Sequence, residues 1–248
     1  MKIYGLIGKP LTHSFSKIYF DNKFEKESIS DAKFKLFTLE SIEDMNKLLL
    51  SEPELIGFSV TIPYKEKIIK YLDEISEEAQ IIGAVNSVKV IRNNKQIKLK
   101  GFNTDIIGFK SSVEKLNIKV KNIKALVLGS GGASKAVCFV LQKLKIPFVI
   151  VSRNPDSDQF SYNDLTSDII KNHLLIINTT PLGMFPNIDE CPQLPYQAVT
   201  SNHHFIDLTY NPPLTTFLKK ALEGDAKIIN GLHMLEKQAE ASWNLWNL

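Results

Sequence analysis

Lys124-Ala-Leu-Val-Leu-Gly129-Ser-Gly131-Gly132-Ala-Ser134-Lys-Ala is the stretch whose reading decides the fold of this chain. A short apolar run breaks into glycines at 129, 131 and 132, then resumes as Val137, Val140, Leu141 and Leu144, a helical spacing. The order is strand, tight turn, helix start, and a helix start carries unpaired N–H groups that can hold a phosphate. Its position is as informative as its pattern. The residues before it are numerous enough for a separate domain, so a nucleotide-binding unit follows something that binds the other reactant.

Downstream of the turn the chain keeps a strand-and-helix rhythm. Strands are expected at 125–128, 148–151, 174–177, 205–208 and 227–229, with helices between most of them, including 214–222. The second strand ends in Ser152-Arg153-Asn154, about twenty residues past the turn, where a ribose-recognising residue belongs. An acidic residue there favours NAD; Arg153 favours the 2′-phosphate of NADP. Only Arg92 and Arg153 are arginines, so a guanidinium at this place carries weight, although a surface arginine at a strand end is the plain alternative and Asp156 lies near.

Upstream of the turn, strands are expected at 3–7, 34–39 and 55–60 and helices at 17–27 and 45–50. Ser41 stands three residues before Asp44, a capping-box spacing. Pro63 suits the first turn of a helix over 64–72. The runs 85–92 and 96–101 flank Asn93-Asn94 as a hairpin, which makes this sheet mixed. A helix over 105–116 leads out of this part. The fold class is therefore α/β: an N-terminal substrate domain with a mixed, mainly parallel sheet, then a Rossmann-like doubly wound dinucleotide-binding domain. The last segment, 234–246, places Leu235, Ala239, Trp243 and Trp246 at helical spacing, and spacing alone leaves open whether it packs on the first part.

Bulk composition excludes several functions. With 248 residues, 44% hydrophobic and 23% charged, the chain is ordinary globular material for one large or two modest domains. A net charge of +3 is too near balance to argue for nucleic acid or a membrane surface. The run Met-Lys-Ile-Tyr-Gly-Leu-Ile-Gly ends at Gly8 and Pro10 and reads as a first strand, too short for a signal peptide. Cys138 in an apolar helical stripe and Cys191 in a proline-rich loop offer no disulfide framework, so the cytoplasm is the simplest compartment. His203-His204 and Cys191 lack ligand spacing, and no metal is expected; His13 and His233 read as turn or packing residues.

Polar clusters follow the expected strand ends of the first part: Gly8-Lys-Pro10-Leu-Thr-His13-Ser14-Phe-Ser16, Gly57-Phe-Ser59-Val-Thr61-Ile-Pro63-Tyr64-Lys65, Ile82-Gly83-Ala84-Val85-Asn86-Ser87, and Gly101-Phe-Asn103-Thr104-Asp105. Singly, Ser14 and Ser16 read as turn or N-cap residues, Asp105 as a helix cap and Lys65 as a solvated lysine. Jointly they suggest a cleft outside the carboxyl ends of strands, in which a Lys–Asp pair serves as acid and base for carbonyl reduction.

These clusters, with Asn178-Thr-Thr180-Pro-Leu-Gly183-Met184, Asp207-Leu-Thr-Tyr210-Asn-Pro and Gly231-Leu-His-Met-Leu-Glu-Lys-Gln238-Ala, occur in an order that resembles the shikimate dehydrogenase family from Gly8 to Trp246. The resemblance implies reversible NADPH-dependent reduction of 3-dehydroshikimate to shikimate. It implies Lys65 and Asp105 as the catalytic pair, also touching substrate, and Ser14 and Ser16 on the substrate carboxylate. Thr61, Asn86 and Gln238 would hold the ring hydroxyls, with Tyr210 nearby. Gly129, Ser130, Gly131, Gly132 and Ala133 would hold the pyrophosphate, Ser152, Arg153 and Asn154 the 2′-phosphate end, and Leu208 and Gly231 the nicotinamide. It also implies a C-terminal helix that returns to the first domain, giving 1–107 with 232–248 as substrate domain and 108–231 as dinucleotide domain, in a monomer or homodimer. Departures are Lys17 and Phe20 after Ser16, Ser59 opening Ser-Val-Thr, and Ser157 where a second basic residue often follows Arg153. Alternatives are an NAD-preferring quinate/shikimate dehydrogenase and a non-catalytic dinucleotide-binding paralogue.

Overall fold

The computed structural model describes residues 1–11, 14–93, 96–118 and 123–248. His13 and Asn94 lie outside the described residues. The chain divides into two compact units, Met1–Thr104 with Gln238–Leu248, and Asp105–Lys237.

In the first unit β1 (Lys2–Gly8), α1 (Phe15–Lys26), β2 (Ala32–Thr38), α2 (Met45–Ser51) and β3 (Leu55–Val60) follow one another, and β1 pairs in parallel with both β2 and β3. Then come β4 (Glu74–Ile75), α3 (Glu77–Ile82), β5 (Ser87–Asn93) and β6 (Gln96–Phe102). β5 runs antiparallel to β3 and β6, so the six-stranded sheet, in order β2-β1-β3-β5-β6-β4, is mixed. Ile3, Ile7, Leu55, Phe58, Val88 and Leu99 pack on one side of it. On the other side Tyr4, Leu6, Phe20, Phe24 and Phe34 pack with Trp246 of the C-terminal helix. A Cβ on Gly57 would stand 2.4 Å from the Trp246 ring, so glycine makes room for the indole against β3.

Two local expectations need correction. The helix foreseen over 64–72 is a 3₁₀ turn, Lys67–Tyr71. The reason is a bond from far along the chain: the Lys65 carbonyl accepts from the Val85 N–H at 2.8 Å, and the Ile69 N–H bonds Glu66 instead. Ser41 caps a 3₁₀ turn, Ile42–Asp44, accepting from the Glu43 N–H, and α2 begins only after it. The reading also passed over α3, whose Ser76 side chain accepts from Ala79 N–H and whose C-cap Gly83 is left-handed at φ 68°.

The second unit opens with α4 (Asp105–Lys115), then β7 (Ala125–Leu128), α5 (Gly132–Lys143), β8 (Phe148–Val151), α6 (Ser167–Asn172), β9 (Leu175–Asn178), β10 (His204–Asp207), α7 (Thr216–Leu222) and β11 (Lys227–Ile229). All pairings in its five-stranded sheet are parallel, in order β11-β10-β9-β7-β8. Numbered from β7, this is the doubly wound order 2-1-3-4-5, with its switch point between β7 and β9. α8 (Leu232–Asn247) begins in this unit, where Gly108 admits the Met234 carbonyl against α4. Among the described residues no helix is long and apolar enough to cross a membrane.

Candidate active site

In the first unit the functional groups gather where β1, β3 and β6 end and β5, running the other way, begins. Thr61 follows β3, its N–H donating to the Ile7 carbonyl of β1 at 3.0 Å. A Cβ on Gly8 would meet the Thr61 methyl at 2.4 Å, so glycine after β1 lets Thr61 stand close. Asn86 is pinned through its backbone to both neighbours, donating to the Phe102 carbonyl and accepting from the Val60 N–H. Lys65 is tied to the same edge through Val85.

Thr104 is the hub of this cluster. Its backbone N–H reaches Asn86 Oδ1 at 2.6 Å and its hydroxyl reaches the same oxygen at 3.1 Å. The hydroxyl also stands 3.0 Å from Ser242 Oγ and 3.4 Å from Gln238 Oε1 on α8. Asn86, Thr104, Gln238 and Ser242 are all buried. With its oxygen taken by Thr104, Asn86 presents its N–H2 as a donor; the single hydroxyl proton goes to Asn86, and Gln238 Oε1 is the weaker neighbour of that hydroxyl. Asn103 anchors the strand end by donating to the Ala84 carbonyl at 3.0 Å. Asp105 is the next residue after Thr104 and opens α4.

Ser14 occupies the N-cap position of α1, yet its side chain makes no capping bond. Its Oγ is buried without a hydrogen-bond partner among the described residues. A buried hydroxyl not spent on the helix is suited to a ligand oxygen. Ser16 lies in the first turn of α1, partly exposed. The structure places Thr61, Lys65 and Asn86 beside these strand ends, Ser14 at the N-cap of α1 and Gln238 on α8; the sequence reading gave no role to Thr104 or Ser242. A signal existed: Gln238 and Ser242 are four apart on one helix and share a face.

In the second unit the glycine turn follows β7 at the switch point. Gly129 is left-handed at φ 105° and its N–H donates to the Val151 carbonyl of β8. A Cβ on Gly131 would meet nothing within 4 Å, so the turn presents open space beside the N-terminus of α5. Gly131 is the N-cap of α5 and brings no capping side chain, which leaves the helix start suited to an anion. Ser130 and Ser152 face each other at 3.2 Å, joining the glycine turn to the 152–154 turn. Ser152 Oγ accepts from the Asn154 N–H, and Arg153 between them is exposed. These residues fit a dinucleotide phosphate chain with a basic group beyond β8.

Leu208 follows β10 and its N–H donates to the Asn178 carbonyl at 3.0 Å. A Cβ on Gly231 would lie 2.1 Å from the Leu208 carbonyl oxygen, so only glycine permits this approach. Tyr210 is partly exposed two residues on.

The two units together define a class: a parallel, doubly wound dinucleotide-binding unit joined to an α/β unit for a small polar ligand, the build of a nicotinamide-dependent oxidoreductase. Residues 6–88 match the family model for the shikimate dehydrogenase substrate binding domain. A shikimate dehydrogenase (NADP(+)) of Methanococcus maripaludis is 43% identical, covering 99% of this chain and 91% of the relative. The crystal structure of a chorismate mutase/shikimate 5-dehydrogenase fusion protein from Clostridium acetobutylicum superposes with a TM-score of 0.85 at 38% identity, covering all of this chain and 91% of that one. A shikimate 5-dehydrogenase from Thermus thermophilus, in complex with NADP(H) and shikimate, gives a TM-score of 0.86 at 29% identity, covering 99% and 93%. The chain belongs to the shikimate dehydrogenase family.

Proposed function

We propose that this protein is an NADP-dependent shikimate dehydrogenase, reversibly reducing 3-dehydroshikimate to shikimate in aromatic amino-acid biosynthesis. The observation that carries the reading is the Thr104 hub, which fixes the Asn86 carboxamide as a donor and stands beside Gln238 of α8, at the strand ends where Thr61 and Lys65 stand. Bound NADPH supplies a hydride to the carbonyl carbon of the substrate, and one proton must reach the carbonyl oxygen to balance the reaction. Lys65 holds that proton at Nζ and polarises the oxygen, with Asp105 as its acid–base partner. Ser14 and Ser16 offer hydroxyls to the substrate carboxylate. Thr61, Asn86, Gln238 and Tyr210 orient the ring hydroxyls, which fixes the face of the carbonyl that reacts.

Gly129, Ser130, Gly131, Gly132 and Ala133 hold the pyrophosphate, with Ser152, Arg153 and Asn154 on the 2′-phosphate and Leu208 and Gly231 at the nicotinamide. In this proposal 1–107 with 232–248 form the substrate domain and 108–231 the dinucleotide domain. It also places the protein in the cytoplasm, where Cys138 and Cys191 remain thiols, working as a monomer or homodimer.

The test is a spectrophotometric assay of NADP+ reduction with shikimate, run with Lys65→Ala. The variant should lose about 10²–10⁴ of kcat while its Tm stays at the wild-type value; wild-type turnover in the variant would remove Lys65 from the chemistry. A second reading, a quinate/shikimate dehydrogenase preferring NAD, has one observation in its favour: Ser157 stands where a second basic residue would complete the clamp begun by Arg153. Comparing kcat/KM for NADP+ and NAD+, with shikimate and with quinate, decides between them.

A further inference from the structure

Asp207 is a carboxylate with no solvent exposure and no role in the reaction sketched above. Leu128, Asn178 and Asp207 are register partners, side by side at the ends of β7, β9 and β10. Asp207 accepts hydrogen bonds from three residues. Asn178 Nδ2 donates to Oδ1 at 3.0 Å, the Thr209 N–H donates to the same oxygen at 2.9 Å, and the Thr215 hydroxyl donates to Oδ2 at 2.6 Å. Thr215 in turn caps α7, accepting from the Leu218 N–H. Burial pushes the Asp207 carboxyl above its ordinary range despite these donors. A buried charge costs free energy unless its surroundings repay it, and an apolar residue would close a strand end more cheaply.

The bonds leaving this carboxylate lead to groups already assigned to the dinucleotide. Thr209, held by Asp207, accepts from the Gly231 N–H at 3.0 Å, and Gly231 abuts the Leu208 carbonyl. Asn178, held on its N–H2 side by Asp207, accepts with Oδ1 from the Thr180 N–H and hydroxyl at 3.0 and 2.7 Å. Thr179 donates to the Leu128 carbonyl at 2.7 Å, directly before the glycine turn. One buried carboxylate thus sets the turn after β10 and, through Asn178, the turn after β9.

We propose that Asp207 is a positioning residue for the nicotinamide end of the dinucleotide, acting through Leu208, Gly231 and the Asn178–Thr180 turn. This rests on the NADP reading above. The 2′-phosphate end, beside Ser152 and Arg153, lies outside this set of bonds, and the glycine turn meets the set through Thr179 and Thr180 rather than through Leu208 or Gly231.

Asp207→Asn tests the proposal. The amide keeps the size and still accepts from Asn178 and Thr209, but it puts an N–H2 toward Thr215, whose hydroxyl must reverse. By titration calorimetry, the Kd for NADP+ should rise about five- to tenfold, the loss of roughly one hydrogen bond's worth of ordering. The Kd for adenosine 2′,5′-bisphosphate, which lacks the nicotinamide end, should stay at the wild-type value. With deuterated NADPH, kcat should fall and its isotope effect grow as hydride transfer becomes limiting. Equal weakening of both ligands, or of neither, would overturn the assignment. Should Asp207→Asn fail to fold, Thr215→Val removes one donor and is judged by the same ratio. Wild-type protein that binds neither ligand would overturn the NADP reading and this assignment with it, whereas wild-type binding with an unchanged ratio overturns the assignment alone.

Discussion

Thr104→Val puts the hub of the first unit to a quantitative test. The substitution is nearly isosteric and replaces one hydroxyl with a methyl group at a site 1% exposed. That hydroxyl has one proton and two lone pairs. Its best arrangement donates to Asn86 Oδ1 at 3.1 Å and accepts from Ser242 Oγ at 3.0 Å, with Gln238 Oε1 at 3.4 Å as the weaker neighbour. Asn86 Oδ1 keeps the 2.6 Å bond from the Thr104 N–H, so it is not left bare. Two good hydrogen bonds are lost, each worth about 1 kcal/mol net, for roughly 2 kcal/mol of stability. For a chain of this size that lowers Tm by roughly 4–8 °C. The functional effect is a loss of preorganisation: Asn86 loses one of the two bonds that orient its carboxamide, and Ser242 of α8 loses its acceptor. The KM for shikimate should rise about tenfold, which corresponds to roughly 1.4 kcal/mol. The kcat should stay within about threefold, because Lys65 and Asp105 are untouched. Thr104→Ser restores the hydroxyl and should recover KM. The reasoning is refuted if the valine variant matches wild type in both Tm and KM, or if the serine variant fails to recover.

Three further outcomes are expected. Arg153→Ala should raise the KM for NADP+ by about 10–100-fold, the worth of one charge-assisted hydrogen bond, and leave NAD+ kinetics unchanged; an undiminished NADP preference would take the 2′-phosphate away from Arg153. Gly129→Ala places a Cβ at φ 105°, 2.8 Å from Thr179 Oγ1 and 2.9 Å from Thr180 Cγ2. It should weaken NADP+ binding by about 5–150-fold, the equivalent of a strain of roughly 1–3 kcal/mol, and unaltered calorimetric affinity would contradict this. His204 and His233 are both held below the ordinary histidine value of 6.5, in each case first by burial and then by nearby lysines, Lys227 for His204, Lys115 and Lys237 for His233. The folded state therefore binds fewer protons there than the unfolded chain, so this contribution is present above pH 6.5 and is lost as pH falls through the depressed values. Urea titrations at neutral and mildly acid pH should show a smaller loss for the double His→Gln variant than for wild type; identical losses would discount both histidines.

Much of the architecture was legible because its signals are local. The glycine turn after β7, the strands around it and the hairpin of β5 and β6 follow from apolar runs and turn residues within a few positions of each other. The candidate site was legible only where a polar group stands beside a strand end, as Thr61, Asn86 and Asp105 nearly do. What could not be read depends on partners distant in sequence. Thr104 meets Ser242 across 138 positions, and no periodicity says which polar residue of α8 faces it. Lys65 gives its carbonyl to Val85, and that single bond turns an apparently good helix signal at 64–72 into a 3₁₀ turn.

The departures from local rules share a location. Ser14 sits at an N-cap and does not cap; the chain after Pro63 forgoes the helix its residues allow; Asp207 is a charge buried at the end of an apolar strand. Each is unfavourable by a local rule, and each lies at a strand end, in the turn after a strand or at a helix start. A sequence that is locally consistent elsewhere and breaks its own rules at strand ends is spending stability where geometry must be set. On that argument the buried carboxylate of Asp207 sets the geometry of the strand ends in the second unit, and no atom of it needs to touch a ligand.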